Sequence, residues 1–247
     1  MQIAIVIYPG MTALDAIGPY EVFNTLPDRE LRFVWKEVGP VVTDSGALVI
    51  GCTHTFEETP APDLVLVPGS SADTVTMMAD QDVLGWLRAV HPRTKYTTSV
   101  CSGAMILAAA GLLEGGRATT HWLAMPGLKN FGVTPCPDQR VVQQGKIFTA
   151  AGVSAGIDLA LTMVSEIAGP ERAQMIQLAI EYDPQPPFDS GHMTKADPSI
   201  ASQTRKAMIK AALNPRDAVS IPTVLVRRWK DVLVKKVRKT RVGSSAP

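Results

Sequence analysis

Short apolar runs alternate with stretches of helical periodicity along most of the chain. Gln2–Tyr8 is almost continuously apolar and stops at Pro9-Gly10, as a strand buried on both faces does. Thr12–Leu26 then places Leu14, Ile17, Val22 and Phe23 on one broad helical face, with Gly18-Pro19 expected to interrupt or kink it. Arg32–Val38 is strand-like, and Val41–Ile50 reads as a further strand or hairpin arm. Leu64–Val67 is a short apolar strand stopped by Pro68-Gly69. Gln81–Val90 carries Val83, Leu84, Leu87 and Val90 at helical spacing, and Tyr96–Val100 is rich in β-forming residues. Ser102–Leu113 follows at once as a helix that is apolar nearly all round, and therefore buried.

His121–Phe131 is expected to be helical despite Pro126-Gly127, and Val141–Thr149 to be a hairpin turning at Gln144-Gly145. Ser154–Ala168 and Glu171–Glu181 read as two further helices separated by Gly169-Pro170. Strands alternating with helices imply an α/β fold with a mostly parallel sheet covered on both faces. After Tyr182 the pattern changes. Residues 183–198 are proline-rich and poor in apolar residues, as in an extended arm. Helical segments are expected near Ser199–Leu213 and Val224–Val237. The division is one α/β domain over 1–198 and a C-terminal helical extension over 199–247.

Composition narrows the setting. With 247 residues, 46% of them hydrophobic, the chain can close one large core. The net charge of +1 gives no global sign of nucleic-acid binding, and none is expected. Charge is nonetheless uneven: Arg216–Arg241 holds nine Lys/Arg and two Asp/Glu, a local +7. A solvated basic helix is the simpler account of that tail, with contact to nucleic acid or anionic lipid as the alternative. The first residues read as a strand rather than a leader peptide, and no apolar run approaches the roughly 20 residues of a membrane span. Three widely spaced cysteines form neither a disulfide framework nor a zinc pattern, and the four histidines are too scattered for a metal site. A reducing cytoplasm, without a metal, is expected.

The strongest local signal is Ser99-Val100-Cys101-Ser102-Gly103. A β-rich run ends there and a helix begins within two residues, with small residues flanking the cysteine. That is what a nucleophile elbow requires, because only small neighbours fit so tight a turn. A sulfur at a helix N-terminus also meets unsatisfied N–H groups, which are expected to lower its pKa. Cys52 and Cys136 have no such device and read as ordinary packed cysteines.

In a parallel α/β sheet, sites lie beyond the carboxyl ends of strands. Four segments qualify: Pro9–Asp15, Pro68–Ser71, the Cys101 elbow and Ala150–Ser154. Asp15 is either a surface carboxylate near a helix start or an acid beside the thiolate, whose charge would raise the Asp pKa. His121, in Thr119-Thr120-His121-Trp122, is either a Cys partner or a structural histidine packed under the site.

These residues, with Leu14-Asp15, Pro68-Gly69, Ala118-Thr119-Thr120-His121-Trp122 and Ala155-Gly156-Ile157-Asp158, resemble the ThiJ/PfpI superfamily. Within it, Trp35-Lys36-Glu37, Gly39-Pro40-Val41-Val42, Ala109-Ala110-Gly111-Leu112-Leu113, Glu181-Tyr182-Asp183-Pro184 and Pro186-Pro187-Phe188 look most like the isonitrile hydratases. The resemblance covers about residues 1–200. It implies a flavodoxin-like three-layer sandwich, a homodimer and no cofactor, with an isocyanide and water giving an N-substituted formamide. Cys101 would attack the terminal isocyanide carbon to give a covalent thioimidate, and Asp15 would carry the protons. Ser102 would hydrogen-bond Asp15 or the substrate. Gly69, Ser70, Gly152, Val153 and His121 would surround the substrate, a small apolar isocyanide, with backbone N–H groups at Gly69-Ser70 and Ser102 stabilising negative charge.

Four residues differ from the pattern of these relatives: Ser70, Ala150 and Ala151 from the superfamily, and Ser102 from the hydratases. Ser70 stands where a second glycine is usual, and would be strained if its φ had to be positive. Ala150-Ala151 replace two glycines before Gly152, and Ser102 replaces threonine. Other readings are a different hydrolase or glyoxalase-like enzyme of the superfamily, a ligand-sensing regulator, and a redox-responsive protein. Ser102 argues against proteolysis, since the proteases of this superfamily carry histidine immediately after the cysteine.

Overall fold

The computed structural model describes residues 1–212 together with Val224. The helix expected at Val224–Val237 and the basic run Arg216–Arg241 otherwise lie outside the described residues. In chain order the strands are β1 (Gln2–Val6), β2 (Glu30–Trp35), β3 (Gly39–Val42), β4 (Val49–Cys52), β5 (His54–Thr55), β6 (Leu64–Val67), β7 (Tyr96–Ser99), β8 (Arg117–Ala118), β9 (Thr134–Pro135), β10 (Val141–Gln144) and β11 (Ile147–Ala150). The helices are α1 (Ala13–Phe23), α2 (Thr74–Ala79), α3 (Gln81–Val90), α4 (Gly103–Ala109), α5 (Met125–Leu128), α6 (Ala155–Ala168), α7 (Pro170–Ala179) and α8 (Pro198–Ala212).

Seven strands form the main sheet in the order β10-β11-β7-β6-β1-β2-β5. Every pairing in it is parallel except that of the hairpin arm β10 with β11. The order explains the layers. From β1 the chain steps to β2 in one direction, and from β6 to β7 in the other. Right-handed crossovers then put α1 and α3 on opposite faces, giving the flavodoxin-like α/β sandwich. The central strands are apolar because both faces are covered: Ile3–Val6 and all of β6 are fully buried. Each such Val, Leu or Ile contributes roughly 1.5–3 kcal/mol of transfer free energy.

Several elements differ from expectation for local reasons. Pro19 neither breaks nor ends α1. It lacks only the N–H that would bond the Asp15 carbonyl, and its ring packs on α6: a Cβ at Gly156 would lie 3.1 Å from Pro19 Cγ. Leu14 is exposed, not on the buried face with Val22 and Phe23. The Val41–Ile50 stretch contributes to both arms of a two-stranded antiparallel hairpin, β3–β4, separate from the main sheet. His121–Phe131 is helical only from Met125, as α5 and one 3-10 turn. α2 was not expected, because Thr74-Val75-Thr76 is β-prone in isolation.

Candidate active site

β11, β7, β6 and β1 are consecutive neighbours and run parallel. Their carboxyl ends therefore bring the four small-residue segments to one edge of the sheet. The strand order reverses between β1 and β6, and the crevice at such a reversal is where parallel α/β sheets hold their sites. Asp15 follows β1 and Gly69 follows β6. Across that crevice the Gly69 N–H donates to Asp15 Oδ2 at 2.8 Å.

Cys101 has φ +56°, a left-handed conformation that costs a non-glycine residue on the order of 1–3 kcal/mol. The surroundings hold it there. Its N–H donates to the Ala151 carbonyl at 2.9 Å, and its carbonyl accepts from the Thr120 hydroxyl at 2.7 Å. Gly103 permits the turn: a Cβ there would lie 2.2 Å from the Val67 carbonyl oxygen. Gly69 is needed on the other side, where a Cβ would come 2.6 Å from the Ser102 nitrogen. The elbow expected from spacing is thus present, with close backbone approach as its cause.

The electrostatics differ from the sequence argument. The Cys101 thiol is pushed up to about 12, first by burial and then by Asp15. N–H groups of Val153 and Ser102 and the Ser102 hydroxyl oppose that shift but do not reverse it. The resting sulfur is therefore a thiol and not the preformed thiolate that a helix N-terminus alone suggests. Desolvation outweighs the few donors around it. Asp15 is fully buried and pushed up to about 7, chiefly by burial. The Gly69 N–H and the Cys101 thiol act to lower it, and Asp44 to raise it. Burial, not a neighbouring thiolate, is thus the main cause. Asp15 Oδ1 is buried without a hydrogen-bond partner, although the carboxyl and the thiol are close enough to shift each other's titration. A carboxyl near its midpoint at neutral pH can give or take a proton there.

The two loop N–H groups assigned to negative charge are already engaged: Gly69 with Asp15, and Ser70 with Ser102 Oγ at 3.1 Å and Thr74 Oγ1 at 3.2 Å. The donors next to sulfur are instead Val153 and Ser102. Ser102 Oγ pairs with Thr74 Oγ1 at 2.6 Å and Ser70 O at 3.2 Å. Ser70 does not have positive φ. Its hydroxyl donates to the Gly10 carbonyl at 2.6 Å and accepts from Asp73 N–H at 2.8 Å and Ala72 N–H at 3.1 Å. The departure from glycine is thus absorbed as a loop-ordering side chain. Ala150 ends β11 fully buried, and Ala151 supplies the carbonyl that holds Cys101. Neither requires a glycine conformation.

His121 lies against Gly152, where a Cβ would come 2.7 Å from the ring. Its Nδ1 accepts from Leu123 N–H at 3.3 Å, and burial holds its pKa below the usual imidazole value. It is thus a neutral ring walling the Gly152–Val153 loop, with Nδ1 turned into its own chain. Sequence reasoning missed Thr74, Thr120 and Tyr8. Tyr8 is fully buried, its hydroxyl donates to the Pro68 carbonyl at 3.1 Å, and burial first, then Asp15 and Cys101, push its pKa well up. A lone hydroxyl at the end of an apolar strand was its only sequence signal. Cys52 is a packed thiol donating to the Phe33 and His54 carbonyls. Among the described residues no cluster of three or more His, Cys, Asp or Glu could hold a metal, and no helix is long and apolar enough to cross a membrane.

The isonitrile hydratase of Pseudomonas putida is 43% identical over 206 residues, spanning 83% of this chain and 89% of its own. The crystal structure of a ThiJ/PfpI family protein from Pseudomonas syringae superposes with a TM-score of 0.82 at 38% identity, covering 89% of this chain and 90% of that one. The HTH-type transcriptional regulator GlxA of Rhizobium meliloti is 30% identical over 67% of this chain, which spans only 52% of the regulator. The model of the DJ-1/PfpI family matches residues 1–166, and the chain belongs to that family.

Proposed function

We propose that the protein is an isonitrile hydratase acting through Cys101 and Asp15, with residues 1–198 as the catalytic unit and 199–247 as an extension. The observation that carries this reading is the buried Asp15 carboxyl, near its midpoint at neutral pH, beside a buried thiol. The likeness to the Pseudomonas putida isonitrile hydratase supports the choice of substrate.

As Sγ bonds to the terminal carbon of R–N≡C, the thiol proton passes to Asp15 and from it to that carbon. The product is the thioimidate R–N=CH–S–Cys101. The Val153 and Ser102 N–H groups hold the sulfur while it carries negative charge. Asp15 takes a proton from water as the water oxygen adds to the carbon and passes it to the nitrogen, giving R–NH–CH(OH)–S–Cys101. As the adduct collapses to R–NH–CHO and the C–S bond breaks, Asp15 takes the hydroxyl proton and passes it to sulfur. Every step uses one proton carrier and no cofactor. Gly69 fixes Asp15, Ser102 is anchored by Ser70 and Thr74, and Gly152 and His121 wall the substrate. We place the enzyme in the cytoplasm, where the thiol stays reduced.

A homodimer belongs to the same proposal. Val38, Val42, Leu48 and Val49 are exposed on and beside the β3–β4 hairpin, and Leu14 is exposed on α1. A second copy covering them would raise the solution mass twofold, as light scattering would read.

The test is turnover of a panel of alkyl and aryl isocyanides by wild type and Cys101→Ala. N-substituted formamide from wild type only, with a substrate adduct on Cys101 in mass spectra, is the expected result. No formamide from any isocyanide, with methylglyoxal consumed instead, would move the assignment to another activity of the family.

A further inference from the structure

The Glu181-Tyr182-Asp183-Pro184 stretch has no part in the chemistry above, yet it reaches the cysteine through a continuous set of contacts. Glu181 adopts φ +51°, which turns the chain after α7. The Tyr182 hydroxyl then donates to Asp158 Oδ1 at 3.2 Å, in the first turn of α6. Asp158 Oδ2 accepts from Arg140 Nε at 2.5 Å. Arg140 Nη2 donates to Ser154 Oγ at 3.1 Å, and its carbonyl accepts from Ala151 N–H at 2.9 Å. The Ala151 carbonyl in turn holds Cys101 N–H at 2.9 Å. Arg140 therefore grips the 151–154 loop at both ends, by its backbone and by its side chain.

Between those two grips lies Val153, whose N–H is among the groups that oppose the rise in the Cys101 pKa. The Arg140 and Asp158 side chains are 49% and 31% exposed, so the pair adds little to global stability. Its effect is geometric. It joins three parts of the chain that would otherwise meet the loop separately: the segment before β10, the start of α6 and the arm after α7.

We propose that Arg140, Asp158 and Tyr182 are positioning residues that clamp the Ala151–Ser154 loop and so aim the Val153 N–H at the Cys101 sulfur. For its bearing on turnover, this rests on the function proposed above. The clamp itself does not touch substrate. The titratable groups facing the thiol are Asp15 from α1 and Tyr8 from the end of β1, with neutral His121 beyond Gly152. None belongs to the clamp, so a change in the clamp reads out through the loop.

The test follows Cys101 alkylation by iodoacetamide at pH 8, mapped by mass spectrometry so that Cys52 and Cys136 are counted separately. At a pH below the thiol pKa the rate scales with the thiolate fraction, so a loosened Val153 N–H slows it. Asp158→Ala is expected to slow alkylation about tenfold, equivalent to about one pH unit in the thiol. Tyr182→Phe should slow it by a smaller factor, and Asp158→Asn should fall between Asp158→Ala and wild type. In isocyanide turnover the same variants should lose kcat at nearly constant KM. A rate unchanged or faster in both Asp158→Ala and Tyr182→Phe overturns the clamp. Tyr182→Phe removes one half-exposed hydroxyl and is the variant that decides if Asp158→Ala fails to fold. Wild type inert towards isocyanides would instead remove the hydratase reading, while the alkylation series still judges the clamp.

Discussion

Ser102 Oγ and Thr74 Oγ1 lie 2.6 Å apart, and both are within reach of the Ser70 carbonyl, at 3.2 and 3.0 Å. Each hydroxyl has one proton. One can donate to Ser70 while the other donates to its neighbour, so the pair is satisfied as a unit. Removing one member loses the bond between them, about 0.5–1.5 kcal/mol, while the other still serves the Ser70 N–H and carbonyl. Removing both also takes both acceptors from the Ser70 N–H. Thr74→Val and Ser102→Ala should each destabilise the protein mildly, and the double variant should lose more than the sum of the two. Urea unfolding of the four proteins would give a coupling energy of about 1–2 kcal/mol. Simple additivity would mean that the two hydroxyls are independent.

Asp15 gives a pH signature whose sign is unusual for a carboxylate. Folding raises its pKa from 3.8 to about 7. Below the lower value both folded and unfolded chains hold the proton, and Asp15 contributes nothing. As pH rises through this window the unfolded chain gives up a proton that the folded protein keeps, so stability falls. Above the upper value the loss is complete, at most about 4 kcal/mol. Asp15→Asn should abolish this slope and be more stable than wild type at pH 8, with the two proteins converging near pH 4. The same variant should lose turnover by at least about a hundredfold, because no group remains to carry the proton. Unfolding midpoints across pH 4–8 check the first claim, and a formamide assay checks the second.

Glycines on this chain separate into those that need their missing side chain and those that do not. At Gly103 a Cβ would sit 2.2 Å from the Val67 carbonyl and 2.9 Å from that of Pro68, both rigid backbone atoms. Gly103→Ala should therefore destabilise by more than about 3 kcal/mol, with the elbow distorted. At Gly85, in the exposed interior of α3, a Cβ meets nothing within 4 Å. Gly85→Ala should stabilise by about 0.5–1 kcal/mol through helix propensity. Thermal unfolding of the two variants would show opposite shifts from the same chemical change.

What could be read from the chain follows the range of the forces involved. Leu64–Val67 and Gln81–Val90 were legible to the residue because their periodicity is local, with Pro68-Gly69 stopping the strand. The elbow was legible because small neighbours are a local requirement. The sign of the Cys101 shift was not, since burial at that depth is set by β11, α1 and α6 together. Nor was the role of Thr74, whose partner lies 28 residues away. That Pro19 leaves α1 uninterrupted was hidden for the same reason: packing on Gly156 rewards a continuous helix. The Asp15 role needed the crossing from β1 to β6, which spacing does not reveal.

Ser70 offers the sharpest test of whether a departure from the family pattern is a defect or a local solution. Its φ is not positive, so glycine would relieve no strain. Its hydroxyl bonds the Gly10 carbonyl at 2.6 Å and the Asp73 and Ala72 N–H groups at 2.8 and 3.1 Å, tying the loop after β6 to the loop after β1. The first carries Gly69, and the second leads into α1 and Asp15. Ser70→Gly restores the usual family residue yet removes these bonds and adds backbone entropy to the unfolded chain. It should destabilise by about 1–3 kcal/mol. Ser70→Ala loses the same bonds without the added entropy and should be the milder change by about 0.5–1 kcal/mol. Asp15 keeps its Gly69 bond in both, so turnover should fall less than about tenfold, far less than for Asp15→Asn. Unfolding curves and formamide rates on the three proteins decide the matter: a more stable Ser70→Gly would mean that the serine is tolerated strain, whereas the order wild type, Ser70→Ala, Ser70→Gly means that the hydroxyl holds the two loops together.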